Sequence, residues 1–176
     1  MAQTKTASVI SIRPDVSVYA TYRRLSYQPW YAIAEFVDNA TQNYYDHRDN
    51  LRRTYKKERA PGKLRIEVTY DSEKNTLTIF DNDNGMEIDE LRRAVILDSP
   101  PVDKSGRCEY GMGLKTAACW FGTTWTIHTK RLGASRELMA TVHVPDLVET
   151  HNDKIQVTER PASSDEHFTR ITVTNL

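Results

Sequence analysis

The chain has 176 residues, of which 39% are hydrophobic and 27% charged, a composition typical of a folded domain long enough to bury a core. Its 24 basic and 24 acidic residues cancel, so net charge gives no attraction toward nucleic acids or anionic membranes. No secretory signal is evident, and no apolar run approaches the roughly 20 residues that cross a bilayer. We expect a cytoplasmic protein in which Cys108 and Cys119, which lack a metal-binding spacing, stay reduced.

The N-terminal third is predicted to be helical after a mobile arm. Residues 1–13 are mostly polar and form the arm, and a single domain is expected over residues 14–176. The apolar residues of 14–28 are consistent with a short helix. Pro29 suits the first turn of the next helix, because a helix does not use the N–H at that position. This second helix contains WYAIAEFVDNATQNY, residues 30–44, and is predicted to continue to Tyr55.

The helix over residues 30–44 has two distinct faces. Apolar side chains recur at helical spacing on one face: Ile33, Phe36, Val37, Ala40 and Tyr44. A second stripe is entirely polar: Glu35, Asp38, Asn39 and Gln42. A solvated surface is the simple interpretation of such a stripe. The flanking aromatic residues Trp30, Tyr31 and Phe36 instead predict partial enclosure, and an enclosed carboxylate beside a carboxamide favours a general base beside a metal ligand.

Residues 48–63 are strongly basic, and Pro61 and Gly62 are predicted to end the helix. A solvated helix end is one interpretation, since Lys and Arg near a helix C-terminus interact favourably with its dipole. A contact with nucleic acid is the other interpretation.

A hairpin and a polar loop follow. Alternating apolar residues predict a half-buried strand over residues 64–70: Leu64, Ile66, Val68 and Tyr70. A turn separates it from a second strand over 76–80, which continues directly into DNDNGM at 81–86. A plain turn needs fewer such residues, so we expect a tight loop with an exposed backbone.

The rest of the chain completes an α+β pattern. A short helix is predicted over 88–96, a long loop over 97–110, and a helix that starts at GMGLKT, residues 111–116. Glycines at a helix start expose N–H groups that can hold an anion. Strands are predicted over 124–130, 137–144, 154–158 and 168–174. The expected fold is one mostly antiparallel sheet with helices on one face.

Three of these elements, taken together, resemble the GHKL ATPases: DNA gyrase, the heat-shock chaperone of the ninety-kilodalton class, histidine kinases and MutL. They are a helix with Glu-x-x-Asp-Asn, a strand ending in Asp-x-x-x-Gly-Met, and a lid-length loop leading to Gly-x-Gly-Leu-Lys. WYAIAEFVDNA, DNDNGM, YGMGLKTA and the C-terminal FTRITVTNL look most like the MORC-type branch and its prokaryotic relatives. The resemblance implies a Bergerat ATP-binding fold, a two-layer sandwich with a mixed, mostly antiparallel sheet.

The resemblance also implies roles for individual residues. Glu35 matches the general base that activates the attacking water, and Asn39 matches the Mg²⁺ ligand. Asp81 matches the carboxylate that accepts a hydrogen bond from the adenine amino group. Gly85 would let the backbone approach the base, and Met86 would pack on the ring.

On the phosphate side, the resemblance implies that the glycine-rich segment binds the nucleotide, with N–H groups from its glycines and a cation from its lysine. These residues are Gly111, Met112, Gly113, Leu114 and Lys115. Thr169 is similar to the threonine at the far side of the adenine pocket. Asp38 is expected to support the site through a hydrogen bond to the helix or to Lys115.

The chain departs from the family pattern in places. Asp83 stands where a glycine is usual; Asp tolerates positive φ, but its charge would weaken ATP binding or create a second cation contact. Phe168 also replaces a usual glycine. The chain ends at Leu176, where relatives continue into a domain that supplies a lysine to the γ-phosphate. The downstream domain is therefore expected to be absent and hydrolysis to be slow.

The leading hypothesis is an ATPase whose nucleotide state closes the lid, residues 97–110, and drives homodimerisation through the N-terminal arm. One alternative is a nucleotide-dependent binding module that does not hydrolyse ATP. Another is a nucleic-acid-associated ATPase of a defence or DNA-handling system, using residues 48–63. A two-component sensor kinase is disfavoured because no acceptor histidine precedes the domain. The five histidines show no partner spacing and are expected to be structural or on the surface.

Overall fold

The computed structural model describes residues 15–58, 63–96 and 112–176. The predicted arm, the lid, Gly111 and Cys108 lie outside these ranges. The described elements are α1 (Val18–Tyr22), α2 (Pro29–Asp46), α3 (Arg48–Lys57), β1 (Ile66–Asp71), β2 (Thr76–Asp81), α4 (Ile88–Val95), α5 (Gly113–Phe121), β3 (Thr124–Lys130), β4 (Arg136–His143), α6 (Val144–Thr150), β5 (Val157–Pro161) and β6 (Phe168–Thr174).

The strands form one six-stranded sheet in the order β1-β2-β6-β3-β4-β5, and each neighbouring pair is antiparallel. The predicted α+β class is confirmed, and the architecture is consistent with a Bergerat-type two-layer sandwich. The parallel pairing that a mixed sheet would contain is not found among the described strands. None of the helices in the described ranges combines the length and hydrophobicity that a membrane span requires.

The buried face of the sheet is organised in rows across β2, β6, β3 and β4. One apolar row consists of Leu77, Val173, Trp125 and Val142, and the next of Ile79, Ile171, Ile127 and Ala140. The third row begins with polar residues: Asp81, Thr169 and Thr129. Side chains on one face of a strand recur every second residue, so the face changes from apolar to polar within one step. The polar end is where the loop at 81–86 begins.

Helix α2 packs against α5 above this sheet. Its buried residues are Ala32, Phe36 and Ala40, spaced by four along one ridge. The prediction is correct for Phe36 and Ala40, but Ile33 and Val37 are only half-buried and Ala32 is buried instead.

The aromatic residues at the start of α2 do not enclose its polar stripe. Trp30 is 62% exposed and Tyr31 is 59% exposed, so that part of the prediction is wrong. Glu35, Asp38, Asn39 and Gln42 are nevertheless half-buried. For Glu35, one neighbour that is distant in the sequence is Gly113 at the start of α5.

The prediction of one helix continuing to Tyr55 is also wrong, because α2 ends at Asp46 and α3 begins at Arg48. His47 separates the two helices with φ −115° and ψ 16°. The break reorients α3 so that Leu51 and Tyr55 are both fully buried. Periodicity does not detect a break of one residue, since both segments favour helix.

Two further differences concern strands. The first strand of the hairpin is an edge strand with an exposed surface rather than a half-buried one, and Tyr70 is 60% exposed. The last third also contains α6, where only strands were predicted. Pro145 lies in its first turn and cannot donate to a β ladder, which favours the end of β4 at His143. The next strand, β5, accordingly lies at Val157–Pro161 instead of 154–158.

Candidate functional site

The polar row on the sheet forms the floor of one end of the site. Asp81 is the last residue of β2, and its register partner on β6 is Thr169, which pairs in turn with Thr129 on β3. The two threonine hydroxyl groups lie 3.3 Å apart. Asp81 is only 4% exposed. The fold thus brings Asp81 and Thr169 together, although 88 positions of sequence separate them.

Asp83 organises the loop from within. It is 2% exposed, and its Oδ1 accepts hydrogen bonds from the N–H of Gly85 (2.7 Å) and the hydroxyl of Thr169 (3.3 Å). Its own N–H donates to Asp81 Oδ1 (3.1 Å). Asp83 does not have positive φ. An aspartate is accommodated at this usual glycine position because its φ is not positive and its carboxylate accepts the N–H of Gly85 within the loop.

The two buried carboxyl groups perturb each other. Burial raises the pKa of Asp81 well above its ordinary value, and the charge of Asp83 raises it further. Burial also raises the pKa of Asp83. Two adjacent carboxyl groups in a buried site are rarely both ionised, because their charges repel each other. Asp81 and Asp83 therefore favour a state in which one of them is protonated.

Only a glycine fits at position 85. Its φ is +68°, and an added Cβ would lie 2.0 Å from the backbone oxygen of Lys130. That backbone is itself fixed, because the buried Lys130 Nζ donates to the carbonyl oxygens of Arg131 (2.7 Å), Ala134 (2.7 Å) and Glu166 (3.1 Å). The loop therefore lies directly against the end of β3.

Helix α2 holds this loop through Asn43, which sequence reasoning missed. Asn43 Oδ1 accepts the N–H of Asn84 (3.3 Å), and its Nδ2 donates to the Gly85 carbonyl (3.4 Å). On the other side, the N–H of Met86 donates to the Thr129 hydroxyl (2.9 Å).

Tyr55 and His167 also anchor the loop, and neither was predicted. The Tyr55 hydroxyl donates to the carbonyl of Asn82 (2.7 Å). His167 Nδ1 donates to the carbonyl of Asp83 (2.6 Å), while its Nε2 lies 2.9 Å from Glu58 Oε1. His167 is structural, as expected for the histidines. The residues in these contacts are far apart in the sequence and follow no regular spacing, so a sequence pattern could not predict them.

At the other end of the site, Glu35 lies against the start of α5. A Cβ added at Gly113 would be 1.9 Å from Glu35 Oε2, so only a glycine fits there without a shift. The first N–H groups of a helix and its dipole favour a nearby anion. The predicted general base and the glycine-rich motif are thus brought into contact.

Asn39 lies one turn after Glu35 on α2. Its Nδ2 donates to the Glu35 carbonyl (2.5 Å), so its carboxamide oxygen is directed away from that helix carbonyl. An amide oxygen suits Mg²⁺, which prefers oxygen ligands and usually binds through one or two protein groups plus phosphates. No cluster of acidic, His or Cys side chains suited to hold a metal occurs in the described part of the chain.

The other residues of the glycine-rich segment differ in their environments. Met112 is partly exposed, whereas Leu114 belongs to the hydrophobic core. Lys115 is 1% exposed, and burial lowers its pKa to about 8. Cys119 is a buried thiol whose pKa burial raises to about 12, so it stays protonated.

A protein-family model described as histidine kinase-, DNA gyrase B- and HSP90-like ATPase matches residues 27–175. The chain belongs to this ATPase family. The GHKL prediction is confirmed at this level, and ATP binding and hydrolysis are the general chemistry of the family. A search of curated proteins found no match to this chain.

The GHKL match extends from Tyr27 through β6 and so includes both ends of the site. Tyr27, just before α2, is a further contact of the site that sequence reasoning missed. Its hydroxyl donates to Glu35 Oε1 (3.2 Å).

Proposed function

We propose that this chain is a Mg²⁺-dependent ATPase of the MORC-type branch. The observation that carries the proposal is that α2 connects the two ends of the site. Glu35 contacts the start of α5, and Asn43, about 12 Å farther along the helix axis, contacts the loop after β2. This separation is of the order of the length of a nucleoside triphosphate.

The polar end of the sheet suits an adenine base. An Asp81 oxygen would accept a hydrogen bond from the amino group, with Thr169 beside it. Gly85 has no Cβ to obstruct the approach of the base, and Met86 would pack on the ring. Because Asp83 is occupied by Gly85 and Thr169, we assign it to holding the loop rather than to a second cation.

At the phosphate end, Glu35 would take a proton from the attacking water. The water oxygen bonds to the γ-phosphorus, the bond to the bridging oxygen breaks, and ADP leaves with that electron pair. Asn39 would hold Mg²⁺, which supplies charge neutralisation to the phosphates when bound. Gly111 and Gly113 would donate N–H groups, and Lys115 would add a cation.

Lid closure by residues 97–110 and nucleotide-dependent dimerisation through residues 1–13 are part of the proposal. Both rest on the family resemblance. Light scattering with and without a non-hydrolysable ATP analogue tests dimerisation; a mass that stays that of one chain under both conditions contradicts it.

Phosphate release measured with malachite green, with and without Mg²⁺, tests the activity. Glu35→Ala should retain ATP binding and lose turnover. ATP binding without phosphate release from the unsubstituted chain would instead support a nucleotide-dependent binding module. Persistent turnover in Glu35→Ala would contradict the assignment of the base.

A contact with nucleic acid is a second candidate function, favoured by the exposed surface of α3. Its basic side chains are exposed: Arg48, Arg52, Arg53, Lys56 and Lys57. Such a surface binds phosphates in a salt-dependent way. DNA binding that weakens with salt, and that is lost when Arg52 and Arg53 are both substituted by Glu, supports this function. DNA binding that this double variant retains excludes the surface of α3.

A further inference from the structure

Tyr27 occupies a fixed position between the two helices of the phosphate end. It lies in the short segment before α2, and its ring centroid is 6.0 Å from that of Trp120 on α5 and 6.5 Å from that of Tyr31 on α2. Trp120 is held in turn, since its Nε1 donates to the carbonyl of Leu25 (3.1 Å). Aromatic packing therefore fixes the position of the Tyr27 hydroxyl, and no bound substrate is needed for this.

The two carboxylate oxygens of Glu35 have different neighbours. Oε1 accepts the hydrogen bond from the Tyr27 hydroxyl, whereas Oε2 lies against Gly113 at the start of α5. A glutamate side chain has several rotatable bonds, and fixing it costs conformational entropy. A hydrogen bond to one oxygen and close packing at the other together select one orientation of the carboxylate.

We propose that Tyr27 is a positioning residue for Glu35. Its hydroxyl holds Oε1, so that Oε2, beside the α5 N-terminus, is the oxygen that takes the proton from the attacking water. The inference rests on the proposed role of Glu35 as general base. A tyrosine hydroxyl is a donor at neutral pH, and desolvation and the nearby Glu35 charge raise the pKa of Tyr27 further.

Replacing Tyr27 by Phe removes the hydroxyl and keeps the ring. We expect kcat for ATP hydrolysis to fall about 10-fold, as for the loss of one hydrogen bond to a charged group. ATP affinity, measured by calorimetry, and the melting temperature should stay unchanged. Tyr31→Phe is the matched control, because Tyr31 lies beside Tyr27 and its exposed hydroxyl makes no hydrogen bond to the described residues; it should behave as the unsubstituted chain.

Tyr27→Leu removes the ring as well as the hydroxyl, so comparing it with Tyr27→Phe separates the two contributions. The proposal is overturned if Tyr27→Phe hydrolyses ATP normally; a loss confined to Tyr27→Leu would show that only ring packing matters. It is also overturned if Tyr27→Phe loses ATP affinity and kcat in the same proportion. Continued turnover in Glu35→Ala is a distinguishable failure, because it contradicts the proposed role of Glu35 as general base, on which this inference rests.

A titration tests the contact without relying on hydrolysis. Tyrosine labelled with ¹³C at Cζ reports ionisation of each ring by NMR, and the signal missing in Tyr27→Phe identifies Tyr27. Because a negative charge opposes formation of the tyrosinate, Glu35→Gln should shift the Tyr27 titration to lower pH. An unchanged titration overturns the proposal, whatever the turnover of the variants.

Discussion

At the end of the site proposed to bind the base (the base end), the loop at 81–86 is held by side chains from α2, α3, β3 and β6. At the end proposed to bind the phosphates (the phosphate end), Glu35 is held by Tyr27 and by packing on Gly113. Asp81 and Asp83 are buried, but Glu35 and Asn39 are half-buried. Many mutually supporting hydrogen bonds define the base end before a ligand arrives. Because Glu35 and Asn39 are less buried than the aspartates, small substitutions at these two residues should affect chemistry more than folding.

Substituting Gly85 tests the rigid end most severely. Gly85 has positive φ, and Gly85→Ala places a methyl group 2.0 Å from the Lys130 carbonyl oxygen. We expect the free energy of unfolding to fall by roughly 3 kcal/mol and nucleotide binding to be lost. Denaturant titration measures this loss. Gly133→Ala is the control, since Gly133 also has positive φ but open space around it, and it should cost only about 1 kcal/mol. Equal losses would mean that the contact with Lys130 is not tight.

Changing the proposed adenine contact should affect binding more than folding. In Asp81→Asn an NH2 group, which donates and cannot accept, replaces one oxygen of the carboxyl group that we propose faces the adenine amino group, and calorimetry should detect at least about a 100-fold loss of ATP affinity. Asp71→Asn, at the opposite end of the β1–β2 hairpin from Asp81, should bind normally. If Asp81→Asn binds ATP normally, the assignment of the adenine contact is wrong.

The buried acid pair should make stability depend on pH. Burial raises the pKa of Asp81 and Asp83 in the folded chain, whereas an unfolded aspartate titrates near about 3.9. The folded state then binds more protons, so this contribution to stability is present below the unfolded pKa and is lost as pH rises through the raised values. Asp83→Asn should lose less stability than the unsubstituted chain as pH rises above about pH 4 in denaturant titrations. Parallel pH profiles for both chains would contradict the pairing.

The smallest effect is expected where α2 meets the loop. Its hydrogen bonds from Asn43 are long, at 3.3 and 3.4 Å, so Asn43→Ala should destabilise the fold by only about 1 kcal/mol. ATP affinity should fall several-fold because the base end is less well held. Gln42→Ala, which removes an exposed contact with Asp46, is the matched control for both measurements. Identical results for the two variants would show that α2 does not hold the loop.

Sequence reasoning succeeded where the signal was local. The hairpin, the helix over 88–96, the start of α5 and the strand at 168–174 follow from periodicity, turn residues and glycines within a few positions. It failed where burial depends on distant partners. Whether Tyr70 is covered depends on which strand lies at the edge of the sheet, and a pattern of alternation cannot report that.

The candidate site divides in the same way. The chemical groups of the site and their order could be predicted from the sequence: the Glu35–Asn39 turn, the Asp81 loop and the glycine-rich helix start. Their surroundings became visible in the folded chain, including the burial of Asp83, the anchors Asn43, Tyr55 and His167, and the contact of Tyr27 with Glu35. Residue type and short-range periodicity are encoded locally, whereas desolvation and hydrogen-bond partners depend on elements that meet only after folding.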